Sequence, residues 1–132
     1  MIKIVDEKEY EIIREWFNGH SFPVVPYETM PKSSTFISYL DGVPTLATCL
    51  YVAKDAPMAL VAFFVANPAQ DYDKRTDSFM ELNQYITHYC NENGVFALLT
   101  FAGTKPLIDR LQMFGFDSVE PGQFMIKYLN RE

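Results

Sequence analysis

Apolar positions along this chain follow two periods, and the switches between them mark out the elements. Near the start, Ile2 to Val5 reads as a short strand. Asp6, with Glu9 three residues later, has the spacing of a capping box, in which Asp6 caps the helix and Glu9 reaches back. Tyr10, Ile13, Trp16 and Phe17 then recur at helical spacing, which predicts a helix over Glu7 to Phe17 closed by Gly19. Pro23, Pro26 and Pro31 break the stretch 21–34 into an irregular, partly extended segment. Thr35 to Leu40 and Val43 to Val52 are β-branched and aromatic, and the Asp41-Gly42 pair between them predicts a two-residue hairpin turn. Pro44 suggests an edge or a bulge near the start of the return strand.

Met58 to Ala66 (MALVAFFVA) has no polar face, so it is expected to be covered on both sides. A polar loop follows. Phe79, Leu82, Ile86 and Tyr89 then step by three or four and predict a helix over Lys74 to Asn91, ended by Asn93-Gly94. Val95 to Phe101 is a second apolar strand, completing a βαβ unit that should be right-handed with parallel strands. Thr104 and Pro106 open a late helix with the stripe Leu107, Leu111 and Phe114, closed by Gly115 with Phe116 packing back. Gln123 to Leu129 reads as a last strand. The expectation is one α/β (α+β) domain over 1–132: a mixed sheet built as an antiparallel meander, then a parallel βαβ crossover and a late helix.

Composition narrows the functional classes. With 132 residues, 48% hydrophobic and 21% charged, the chain can bury a core without staples. The aromatic share of 15% supplies rings for that core. A net charge of -6 argues against nucleic-acid binding, which needs a basic footprint. Cys49 and Cys90 form no CxxC pair and no His/Cys cluster, so a metal site is not expected, and both read as buried reduced thiols. No apolar run approaches the ~20 residues of a membrane helix, and the acidic N-terminus does not read as a signal peptide. The expected location is the cytoplasm.

Three stretches carry a resemblance that covers essentially the whole chain. The hairpin TFISYLDGVPTLATCLYV, the apolar strand MALVAFFVANP leading into a helix, and TKPLIDRLQMFGF with its closing Gly-Phe together resemble the GNAT N-acetyltransferase superfamily. The combination of YETMP, CLYV and FVANP resembles small GNAT-like proteins encoded by bacteriophages, which would put the protein in the host cytoplasm or in a virion. The resemblance implies transfer of an acetyl group from acetyl-CoA to an amine on a small molecule or a protein, with the pantetheine arm in a gap between the strands at 58–66 and 95–101. It implies cofactor contacts at Phe64, Val65, Ala66, Lys74, Arg75, Thr76, Asp77, Ser78 and Thr104. It also allows a homodimer through late strands or the meander. The alternative is a non-catalytic binding or virion-associated protein with a degenerate CoA site.

Two departures from the family pattern stand out. The family's pyrophosphate loop is glycine-rich, because glycine lets the backbone close on phosphate. Here Gln70 to Ser78 contains no glycine and sets Asp71, Asp73 and Asp77 against Lys74 and Arg75. Asp73 or Asp77 is expected to cap the helix. An Asp71, Asp73 or Asp77 carboxylate filling that space would weaken the enzyme reading. The position of the family's tyrosine acid, four residues before the helix-ending glycine, is Leu111. Tyr51, Tyr128 and Glu28 are the remaining candidates for catalytic roles; as structural residues they read as rim or core tyrosines and a solvated loop carboxylate. His20 reads as a helix-end residue, and His88 as facing solvent.

Overall fold

The structure is a computed structural model, and it describes residues 1–119, 127 and 129. Tyr128 and most of the strand read at 123–129 lie outside the described residues. The chain divides into two compact units, Met1–Thr100 and a C-terminal unit from Phe101 onward. Among the described residues, no helix is long and apolar enough to cross a membrane.

The first unit is a five-stranded sheet in sequential order: β1 (Ile2–Ile4), β2 (Thr35–Leu40), β3 (Val43–Val52), β4 (Met58–Ala66) and β5 (Ala97–Thr100). β1 to β4 are antiparallel, and β4 to β5 is parallel. The β2–β3 turn is the one expected: Asp41 and Gly42 both take positive φ, at 52° and 79°, so the pair follows the twist of the flanking strands. The Pro44 irregularity is present as a register shift between Ser38 and Tyr39.

α1 (Glu7–Gly19) buries Tyr10, Ile13, Trp16 and Phe17. They join Ile37, Ala47 and Val65 of the sheet, with Val5 and Met30, in one cluster. Burying each of the larger of these side chains contributes about 1.5–3 kcal/mol. α2 (Tyr72–Glu92) covers another part of the sheet through Phe79, Leu82, Ile86 and Cys90. Phe36 of β2 meets Tyr85 and Tyr89 edge-on, with centroids 5.0 and 5.7 Å apart. Both sides of β4 are therefore covered, Phe63 by Phe17 and Phe64 by Phe79.

Several local expectations need correcting. Asp6 caps α1 through the Glu9 N–H at 2.9 Å, but Glu9 does not reach back. Its carboxylate is buried and accepts the Tyr39 hydroxyl at 2.5 Å. Gly19 is the last residue of α1, and the left-handed residue after it is Ser21, with φ 57°. At Gly19 space is tight, since a Cβ there would lie 3.1 Å from Pro68 Cγ. α2 begins at Tyr72, two residues before the expected start, because its cap is Asp71 and not Asp73 or Asp77. The segment 21–34 contains one 3-10 turn, Tyr27–Thr29.

In the C-terminal unit, α3 (Lys105–Met113) has Thr104 at its N-cap and buries Leu111.

Candidate functional site

The main feature of the first unit is how β4 and β5 part. Their pairing runs from Met58↔Ala97 to Val61↔Thr100 and stops there. β4 continues through Ala66. Five residues, Ala62 to Ala66, therefore have no strand beside them on that side among the described residues, an open edge of about 16 Å. A bulge marks the same point. Thr48 pairs with Phe64 and Leu50 with Val61, so Ala62 and Phe63 together stand opposite the single residue Cys49. The Thr48 hydroxyl donates to the Phe63 carbonyl inside the bulge. A bulge bends the strand that carries it, which accounts for β4 leaving the line of β5 here.

Strand alternation sets which main-chain groups face the opening. The Asn67 N–H donates to Thr45 O at 2.8 Å, and Ala47 pairs with Val65. The intervening residues, Phe64 and Ala66, therefore turn their N–H and C=O away from β3, toward the open side. The last of these carbonyls is engaged: His20 Nε2 lies 2.7 Å from Ala66 O and must donate to it. The His20 ring stacks on Phe22 at 5.1 Å. His20 was legible only as a helix-end residue, yet the fold brings it to the mouth of the opening from 46 positions away.

The loop beyond the open edge is closed on itself. Asn67 Oδ1 accepts the Ala69 N–H at 2.9 Å, and Asn67 Nδ2 donates to Pro44 O at 2.9 Å. The Gln70 N–H returns to Asn67 O at 3.1 Å. The Asp71 carboxylate accepts the Lys74 N–H at 2.9 Å, so the first turn of α2 already holds an anion of its own. The Arg75 N–H goes to Asp71 O. Its guanidinium donates to Pro68 O at 3.2 Å, and its Nε is buried without a partner, so this face of it is turned into the loop and away from solvent.

The residues expected to hold a cofactor thus fall into separate groups. Phe64 and Ala66 lie on the open edge, whereas the Val65 side chain is in the α1 cluster. Lys74 and Asp77 are exposed on α2. The Thr76 hydroxyl donates back to Tyr72 O at 3.0 Å. Ser78 is fully buried, with its hydroxyl unpartnered. Thr104 belongs to the C-terminal unit and makes no side-chain cap bond.

The catalytic candidates sit elsewhere. Tyr51 is on β3 at the register of Leu60, below the point where β4 and β5 part. Its hydroxyl donates to Thr29 O at 2.9 Å. Burial, with Cys49 beside it, pushes its pKa well above the usual phenol value. Glu28 is exposed in the neighbouring 3-10 turn. Burial pushes the Cys49 thiol up to about 12, which leaves it unreactive as an acyl carrier at neutral pH. His88 is exposed, 3.6 Å from Glu92. A shallow depression of about 410 Å³ lined by Glu7, Lys8, Tyr10, Glu11 and Tyr27 lies toward the start of α1, whereas the His20 contact lies beyond its end.

No family model and no curated protein matches the sequence. Solved structures do match the fold. A probable acetyltransferase superposes with a TM-score of 0.73 over 100% of this chain and 99% of its own, at 8% identity. The ribosomal-protein-S18-alanine N-acetyltransferase from Escherichia coli matches with a TM-score of 0.71 over 91% of this chain and 79% of its own, at 16% identity. The chain has the GNAT acetyltransferase fold. An aminoglycoside acetyltransferase from an uncultured soil metagenomic sample shares that fold over 98% of this chain and 96% of its own, with a TM-score of 0.63 and 12% identity. In the GNAT fold of this chain, the parted strands are β4 and β5 and the helix after the parting is α2.

Proposed function

We propose that the chain binds an acyl thioester, laying its extended pantetheine arm along the open edge of β4, with an amine as the acceptor of the acyl group. The observation that carries this reading is the stretch Ala62 to Ala66, which starts at the bulge and has no β5 partner beside it. The outward N–H and C=O of Phe64 offer an amide-bearing chain the bonds a neighbouring strand would make. Phe64 on Phe79 and Val65 in the α1 cluster hold the edge rigid, so little ordering is needed on binding. When bound, acetyl-CoA or another acyl-pantetheine supplies an activated carbonyl. The pantetheine arm fits the residues present, whereas the loop at 67–74 sets the Asp71 carboxylate against the pyrophosphate of acetyl-CoA.

A binding role without transfer is favoured by two observations. The Tyr51 proton is donated to Thr29 O, and the position resembling the family's tyrosine acid is the buried Leu111.

Thermal-shift and calorimetric titration with acetyl-CoA and acetyl-pantetheine test the reading. Binding at micromolar to millimolar strength is expected, and neither heat nor a shift from either ligand at millimolar concentration would sink it. Thiol release on addition of mixed amines then separates transfer from binding alone.

A further inference from the structure

The two ends of the opening make opposite demands on a ligand. The β4 edge offers outward main-chain groups. Beyond it, the turn that would receive an anionic group already carries a carboxylate and has several of its N–H groups engaged. A helix start attracts anions because its first N–H groups lack partners and its dipole is positive there. In α2 the Lys74 N–H is taken by the Asp71 carboxylate, and the Arg75 N–H by Asp71 O. Before it, the Ala69 and Gln70 N–H groups close onto Asn67, and Asn67 is fastened to β3 through Thr45 O and Pro44 O. The Arg75 guanidinium donates to Pro68 O and buries its Nε, while the Lys74 side chain is exposed. Asp73 and Asp77 add further exposed negative charge in the first two turns.

From this arrangement we infer that the site selects acyl thioesters by their acyl and pantetheine parts and not by a nucleotide, with the Asp71 carboxylate standing where a pyrophosphate would otherwise bind. The ligand class is therefore the acyl-pantetheine thioester, with or without a nucleotide attached. The inference rests on the β4 edge being the thioester site. A carboxylate about 4 Å from a phosphate charge costs a factor of roughly five in affinity even in water, so Asp71 alone is enough to cancel a modest phosphate contact.

The test compares affinities for acetyl-CoA and acetyl-pantetheine by calorimetry, in the full chain and in Asp71→Ser. Serine keeps an N-cap acceptor while removing the charge. In the natural chain acetyl-CoA should bind no more than about threefold tighter than acetyl-pantetheine, and inorganic pyrophosphate should not displace acetyl-pantetheine. Asp71→Ser should tighten acetyl-CoA about fivefold and leave acetyl-pantetheine unchanged, with a thermal melt showing that the variant folds. A preference for acetyl-CoA above about tenfold in the natural chain, or displacement by pyrophosphate, would overturn the inference. An unchanged acetyl-CoA affinity in a folded Asp71→Ser variant would overturn the role given to Asp71. Failure of both thioesters to bind would overturn the thioester reading itself, a result distinct from the other two.

Discussion

Two adjoining stretches of the chain, the β4 edge at 62–66 and the loop at 67–74, meet solvent in opposite ways. The edge has Phe64 and Val65 packed and the outward main chain of Phe64 open, with Ala66 O taken by His20. In the loop, Asn67 and Asp71 supply side-chain acceptors to the Ala69 and Lys74 N–H groups. The two stretches therefore rest on separate kinds of interaction. The parting of the strands rests on a bulge and on packing. A helix start attracts anions through free N–H groups and its dipole, and the Asp71 carboxylate takes one of those groups, the Lys74 N–H.

The comparison can be broken or sharpened by perturbing each side. The largest effect is expected where the open edge is held from behind. Phe79 is 1% exposed and carries Phe64 on its ring at 4.7 Å. Phe79→Ala should cost about 3–5 kcal/mol in denaturant unfolding and weaken thioester binding along with stability. A loss below about 1 kcal/mol would mean the edge is not braced by α2.

Next is the thiol opposite the bulge. Burial raises Cys49 from an ordinary 9.0 to about 12, so its thiolate is scarcer by about a thousandfold at neutral pH. Alkylation in the folded protein should lag the unfolded chain by at least that factor, and it should climb with pH between about 7 and 9 because the thiolate is still the minor form there. Reaction at the unfolded rate would mean that the bulge opens readily.

On the closed side, Asn67→Ala removes two side-chain bonds and leaves the Ala69 N–H and Pro44 O unpaired. A loss of about 1–3 kcal/mol in thermal or denaturant unfolding is expected, together with faster exchange of the Ala69 amide. Asp71→Ala removes only the cap bond to Lys74 and should cost about 1 kcal/mol by the same measurement.

Much of the architecture was legible. β2, β3 and β4 begin and end where the sequence says, because Asp41-Gly42 and Asn67-Pro68 interrupt apolar runs with turn chemistry. α2 was misplaced at its start because Asp71, Asp73 and Asp77 are all competent caps, and only the path of the loop selects Asp71. β5 spans Ala97–Thr100, shorter than the apolar run 95–101, because an apolar run does not reveal where its partner strand turns away. For the same reason the bulge left no mark: MALVAFFVA has no alternation for an extra residue to interrupt. The loop at 67–74 contains no glycine. That its N–H groups are engaged by Asn67 and Asp71, and that His20 closes on Ala66 O, are contacts between distant residues that no local pattern encodes.

The most direct measurement is an amide chemical-shift titration of the isotope-labelled chain with acetyl-CoA. The account predicts that the amides of Phe64 and Ala66 move in a saturable way while those of Ala69, Lys74 and Arg75 stay in place. Saturable movement concentrated at Lys74 and Arg75, with β4 unmoved, would contradict it.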